Sequence, residues 1–264
     1  MKTKLLILVI LVTKVLFVNA QMDDKFYFPS KVLQPIAWKN VEELKFPVEN
    51  DTITALLLKP TQKAKATIFY FHGAGGNMTT YLPLLTSLLK DQFQIVMIDF
   101  RGYGKSSGIP THKNIESDGQ KFLEYALSLE QTKGKPVIIY GASMGSQIAT
   151  HLTKSNQKTI DALVLDGCIS SFSDVASHFA PDYASFLKTI PFPYSAKEDI
   201  KEIVIPKLFI HSEGDQTIPL QEGQMVFDNA SMPKTFLKYE GDHLEAMLKI
   251  KQEVIKNMDA LLMK

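Results

Sequence analysis

The sequence predicts one α/β domain: a mostly parallel sheet of about eight strands, helices on both faces, and a small insertion above the sheet. Three observations carry this. Short runs rich in Val, Ile, Leu and Phe alternate with stretches of helical period, which is the pattern of strands buried on both faces and joined by crossover helices. The alternation breaks once, at residues 169–202, where aromatics and prolines replace periodic segments. Finally, the run Val137–Tyr140 leads into Gly141-Ala142-Ser143-Met144-Gly145 and then directly into a helical pattern, so a tight strand-to-helix turn must sit there.

The elements follow in chain order. Lys2 and Lys4 precede an apolar run, Leu5 to Val12, and the segment closes on Val18-Asn19-Ala20, a small-residue site of the kind signal peptidase accepts. Residues 1–20 are therefore read as a signal peptide cleaved after Ala20, and residues 21–264 as the mature domain, periplasmic or secreted. Lys14 interrupts the apolar stretch and costs about 2.5–3.5 kcal/mol on membrane insertion, so no stable membrane span is expected. Met22 to Asn40, with Pro29 and Pro35, reads as an irregular lead-in. Strand patterns occur at Glu43 to Val48, Thr52 to Leu58, Ala66 to Phe71, Gln94 to Asp99, Pro136 to Tyr140, Asp161 to Leu165, Val204 to His211 and Lys234 to Tyr239. The first two, joined through Glu49-Asn50-Asp51, form an antiparallel edge hairpin. Helical patterns occupy Thr79 to Lys90, Lys113 to Ser128, Met144 to Lys154, Leu220 to Ala230 and Leu244 to Met263.

The chemistry concentrates at the carboxyl ends of these strands. A serine hydroxyl needs a general base, and the base needs a carboxylate to hold its tautomer. Ser143 sits at the strand-to-helix turn, where Gly141 and Gly145 let the chain close. Asp215 follows the strand ending at His211, and His243 follows the strand ending at Tyr239. In parallel sheets such loops converge on one crevice, which makes Ser143, Asp215 and His243 the candidate nucleophile, acid and base. Asp166, at the end of the Asp161–Leu165 strand, competes for the acid role. Ser146 reads as a helix residue, Ser106 and Ser107 as a turn. His112, His151 and His211 read as surface or strand-end residues and Asp242 as a solvated loop acid, while His178 lies in the insertion, where it can face the pocket.

Five ordered blocks carry a family resemblance: Phe71-His72-Gly73-Ala74-Gly75-Gly76-Asn77, Asp99-Phe100-Arg101-Gly102-Tyr103-Gly104-Lys105-Ser106, Gly141 to Gly145, Gly214-Asp215 and Gly241-Asp242-His243. The chain resembles the alpha/beta-hydrolase superfamily, and within it the serine-aminopeptidase-like and acyl-thioesterase-like branch with a short cap. The resemblance implies a serine hydrolase acting on an ester, thioester or amide bond through an acyl-enzyme. It also implies that the backbone N–H groups of Ala74 and Met144 form the oxyanion hole, which suits an amide in a Gly-rich loop and one at a helix start. The insertion at 169–202 becomes a small cap. Phe179, Tyr183, Phe186 and Phe192 of that cap, with His72, are the expected substrate-binding residues, His72 chiefly by holding the Gly-rich loop. The cap length favours short apolar acyl groups, roughly two to eight carbons.

Other classes fare worse. The net charge of +1, without a Lys/Arg block, argues against a nucleic-acid partner. No spacing suggests a metal site, Gly73-Ala74-Gly75-Gly76 lacks the Lys-Ser/Thr of a P-loop, and no cofactor is implied. Cys168 is the only cysteine of the chain, so no internal disulfide forms. The expected partner is a small acyl or peptide substrate. A catalytically silent binding protein of the same fold and an exported peptidase remain as alternatives.

Overall fold

The computed structural model describes residues 23–263. The signal-peptide reading therefore lies outside the described residues.

A two-residue strand β1 (Phe28–Pro29) is followed by the hairpin β2 (Val41–Val48) and β3 (Asp51–Leu58), then β4 (Ala66–Phe71), β5 (Gly75–Gly76) and helix α1 (Met78–Lys90). The chain continues through β6 (Phe93–Asp99), α2 (His112–Ser128), β7 (Val137–Ala142), α3 (Gly145–Asn156) and β8 (Ala162–Asp166). After the insertion come β9 (Lys207–Ser212), a helix at Leu220–Asn229, β10 (Lys234–Tyr239), and two short helices at Ala246–Lys249 and Lys251–Ala260. Eight strands form one sheet in the order β10-β9-β8-β7-β4-β6-β3-β2. Only β3 runs against its neighbours, so the expected parallel sheet with an antiparallel edge hairpin is what the chain builds.

The reason lies in burial. Strands β4, β6, β7, β8 and β9 are buried at every position, as continuous apolar runs in a doubly covered sheet must be. One face packs Ile115 and Phe122 of α2, Ile148 and Leu152 of α3, and Val226; the other packs Leu82, Leu85 and Leu88 of α1 with Met247, Val254 and Met258. Each fully buried side chain of this size contributes about 1.5–3 kcal/mol. Asn77 starts α1 by accepting the Thr79 N–H, and Thr111 starts α2 by accepting the Asn114 N–H, as the capping residue types dictate.

Boundaries shift where backbone chemistry overrides side-chain pattern. The strand expected from Val204 begins at Lys207, because Pro206 cannot donate to a ladder and a 3-10 turn fills Ile200–Glu202. Val204 itself faces solvent. The helix expected from Leu244 to Met263 is broken at Ile250, whose backbone at φ −131° and ψ 33° lies outside the helical range. The insertion at 169–202 forms a helix at Phe172–Phe179, short turns at Pro181–Tyr183 and Ala184–Leu187, and a further turn at Ala196–Asp199. The irregular lead-in acquires order at one point, where Phe28 and Pro29 pair in parallel with Gly75 and Gly76.

Candidate active site

Ser143 stands between β7 and α3 with φ 52°, a left-handed conformation unusual for a non-glycine residue and costing about 1–3 kcal/mol. The surroundings hold it there. Its N–H donates to the Asp166 carbonyl at 2.8 Å, and α3 begins immediately after Met144. Gly145 lies so close to β4 that a Cβ would come within 2.2 Å of the Phe71 carbonyl oxygen, so only glycine lets the helix start this near the sheet.

Asp215 and His243, 28 residues apart in sequence, meet at 2.6 Å between Oδ2 and Nδ1. The other carboxylate oxygen, Oδ1, accepts the Thr217 N–H at 2.9 Å and the Ile218 N–H at 2.8 Å. Burial pushes the Asp215 carboxyl up, but the hydrogen bonds from His243 and the Ile218 N–H outweigh it and hold the group below the ordinary carboxylate range. An ionised Asp215 fixes the proton of His243 on Nδ1 and leaves Nε2 as the basic nitrogen. His211 also approaches Asp215, at 3.6 Å, yet its Nε2 faces the Ile218 carbonyl at 2.9 Å and burial lowers its pKa, so it stays a neutral brace of the same loop.

Ser143 and His243 flank one peptide. Ser143 bonds the Asp166 carbonyl, and the next residue, Gly167, is where an added Cβ would meet His243 Cε1 at 2.7 Å. The Asp166 carboxyl is engaged elsewhere: Oδ2 accepts the Tyr140 hydroxyl at 2.7 Å, and burial raises its pKa to about 6. His243 is thus paired with Asp215, while the Asp166 carboxyl is paired with Tyr140.

The Ala74 amide is oriented by its neighbours. His72, fully buried and held neutral by burial with a pKa of about 4, places Nδ1 at 2.7 Å from the Gly73 carbonyl, which belongs to the same peptide as the Ala74 N–H. The Ala74 carbonyl accepts the Tyr103 hydroxyl at 2.6 Å and the Phe28 N–H at 2.9 Å. The Met144 N–H precedes the first turn of α3 and has no intrahelical acceptor.

Ser143, Met144 and Ala74 form part of the wall of a cavity of about 440 Å³, completed by Ile169, Val175, Phe179 and Ile218. Its size falls within the range of small-molecule sites, and its wall is almost wholly apolar.

The matches to known proteins bear on the fold that carries this site. Residues 66–193 match the family model described as the alpha/beta hydrolase fold. The chain has the alpha/beta-hydrolase fold. The chain is 28% identical over 230 residues to the Escherichia coli protein YfhR, itself uncharacterized, covering 84% of this chain and 80% of that one. It is 27% identical over 197 residues to the Danio rerio lysophosphatidylserine lipase ABHD12, covering 67% of this chain and 50% of the lipase. Among solved structures, the Pyrococcus furiosus esterase Pf2001 shares the fold with a TM-score of 0.72 at 18% identity, covering 90% of this chain and 97% of the esterase.

Not every expected substrate contact lies at this cavity. Phe179 does line it, but Tyr183 and Phe186, 67% and 58% exposed, point to solvent away from its wall. Phe192 packs instead against Phe26, Phe172 and His112, with ring centroids 5.0–5.8 Å apart. His72 is sealed beneath the Gly-rich loop and reaches no substrate. His112, expected at the surface, is buried in that aromatic cluster, and burial lowers its pKa to about 4. Phe26 and Phe28 are among the cavity residues that the sequence reading did not single out. Their signal was the Phe26-Tyr27-Phe28 run inside the lead-in, which without a visible pairing partner read as irregular chain.

Proposed function

We propose that the protein is a serine hydrolase that cleaves the carboxylic ester of a small apolar acyl group, with Ser143 as nucleophile, His243 as general base, Asp215 as its acid partner, and the Ala74 and Met144 N–H groups as the oxyanion site. The observation that carries this reading is the strained Ser143 on the wall of an apolar cavity, one peptide away from a histidine whose Nδ1 is already committed to a carboxylate. An ester is favoured over an amide or thioester by the esterase and lipase relatives.

In the first step Ser143 Oγ attacks the carbonyl carbon as its proton passes to His243 Nε2. The charge that forms on the carbonyl oxygen is met by the two preorganised amides. Collapse breaks the bond to the alcohol, which leaves with the proton from Nε2. Water then repeats the sequence on the acyl-enzyme, releasing the acid and restoring Ser143. Throughout, Asp215 stabilises the imidazolium without taking its proton.

Ser143→Ala is expected to remove labelling by a fluorophosphonate probe and to lower p-nitrophenyl butyrate hydrolysis by about 10⁴–10⁶-fold, with an unchanged melting profile. Wild-type labelling of the mutant would rule out this serine. Parallel assays with thioester and aminoacyl anilide analogues decide the scissile bond.

Export belongs to the same proposal. The Lys2/Lys4, Leu5–Val12 and Val18-Asn19-Ala20 pattern supports release of a mature chain beginning at Gln21. Its intact mass after expression in a secreting host tests this, and the full-length mass in the membrane fraction would overturn it.

A further inference from the structure

Residues 25–30 precede both the hairpin and the stretch that matches the family model, yet they reach the cavity that holds Ser143. Phe28 and Pro29 pair in parallel with Gly75 and Gly76. Hydrogen bonds extend this pairing on both sides: the Phe28 N–H donates to the Ala74 carbonyl at 2.9 Å, the Ser30 N–H to the Gly76 carbonyl at 2.9 Å, and the Gly104 N–H to the Ser30 carbonyl at 3.0 Å. The Asn77 side-chain amide donates to the Ser30 carbonyl at 3.0 Å and to the Val32 carbonyl at 2.9 Å. Upstream, Asp23 Oδ1 accepts the His112 N–H at 2.9 Å, and the Tyr27 hydroxyl meets His112 Nδ1 at 2.7 Å. The segment is a strap tied down at each end. Between the ties, Phe26 and Phe28 line the cavity that holds Ser143.

We propose that this strap is a working part of the active site: the rings of Phe26 and Phe28 set the size of acyl group accepted, and the Phe28 N–H holds the Ala74 peptide in the orientation that oxyanion stabilisation requires. The proposal rests on the serine-hydrolase reading above. Its physical basis is the pinning of two consecutive peptides. His72 faces the Gly73 carbonyl, while Phe28 and Tyr103 both donate to the Ala74 carbonyl, so the peptides on either side of the Ala74 Cα cannot turn without breaking one of these bonds. A preorganised donor stabilises the transition state because it needs no reorientation as charge develops. The rings act separately. Phe26 is anchored edge-on against Phe172 at 5.0 Å, giving a rigid wall, and Phe28 stands half-exposed at the mouth. Phe26 and Phe28 are thus specificity residues, and the Phe28 backbone together with Tyr103 is a positioning device.

The two roles separate in the full-length protein. Phe28→Ala keeps the N–H and removes the ring; Phe28→Pro removes both. The expected result for Phe28→Ala is a fall of about tenfold in the octanoate-to-acetate ratio of kcat/KM for p-nitrophenyl esters. Phe28→Pro, compared with Phe28→Ala on the acetate ester, should lose a further ten- to hundredfold, roughly, in kcat with KM nearly unchanged. Tyr103→Phe, which removes the other donor to the same carbonyl, should lower kcat on acetate and octanoate equally, and it carries this limb if Phe28→Pro does not fold. An unchanged octanoate-to-acetate ratio in Phe28→Ala overturns the specificity role, and an unchanged kcat in Tyr103→Phe overturns the positioning role. Fluorophosphonate labelling of the wild-type protein keeps the two readings apart. No labelling at Ser143 sinks the serine-hydrolase reading itself, whereas normal labelling with unaltered strap variants sinks only this proposal.

Discussion

Replacement of Asp215 by Asn tests the reasoning most sharply, because the structure dictates which way the new amide must point. In the wild-type protein Oδ1 accepts two backbone N–H groups, from Thr217 and Ile218, while Oδ2 faces His243 Nδ1 at 2.6 Å. An Asn amide has one acceptor and one donor end. If its NH₂ faced Thr217 and Ile218, donors would meet donors and two amides would lose their acceptor, at about 1–3 kcal/mol each. The carbonyl must therefore take the Oδ1 place, and the NH₂ must face Nδ1. A donor at that point strips the proton from Nδ1 and moves it to Nε2, leaving the nitrogen proposed as the general base unable to accept a proton. Exchange of carboxylate for amide at such a position lowers turnover by about 10⁴-fold in serine proteases, equivalent to about 5.4 kcal/mol of barrier. The loop stays folded, since Oδ1 keeps its role. The assay is kcat for p-nitrophenyl butyrate, with thermal melting as the control. Asp166→Asn supplies the comparison: its carbonyl still accepts the Tyr140 hydroxyl, and a loss of less than about tenfold is expected. A fall of under tenfold in Asp215→Asn, or a larger loss in Asp166→Asn, would refute the assignment of the acid.

Two further outcomes follow from the cavity. Phe179→Ala should raise KM for butyrate and hexanoate esters by about tenfold through loss of apolar contact, whereas Tyr183→Ala and Phe186→Ala should leave kcat/KM within about twofold, because their rings stand outside the wall; equal effects at all three would show that the cap closes over substrate. A cavity of about 440 Å³ should also turn over butyrate esters faster than long-chain triglycerides, and the opposite order in a chain-length series would contradict the pocket assignment.

The fold was legible in the chain because continuous apolar strands and amphipathic helices are local patterns, set by periods of two and 3.6 residues. The sheet and its edge hairpin follow from them, with boundaries moving only where Pro206 or Ile250 changes the backbone. The position of Ser143 was legible for a related reason: a left-handed turn squeezed between a strand and a helix needs glycine at fixed offsets, and Gly141 and Gly145 mark it. Asp215 was the favoured acid with Asp166 as competitor, since one follows a strand in its loop and the other ends a strand. Tertiary contact separates them, His243 closing on Asp215 while Tyr140 closes on Asp166. Facing within the insertion was equally invisible. Aromatic content marks a segment as apolar, but an irregular chain has no period from which to read direction, so Phe179 at the cavity, Phe192 in the core and Tyr183 in solvent look alike in sequence. The strap is the extreme case. A two-residue pairing between Phe28 and a glycine loop 47 residues further on has no repeat to betray it, because its stability comes from burial and hydrogen bonds that exist only once the sheet, the Gly-rich loop and α2 are already in place.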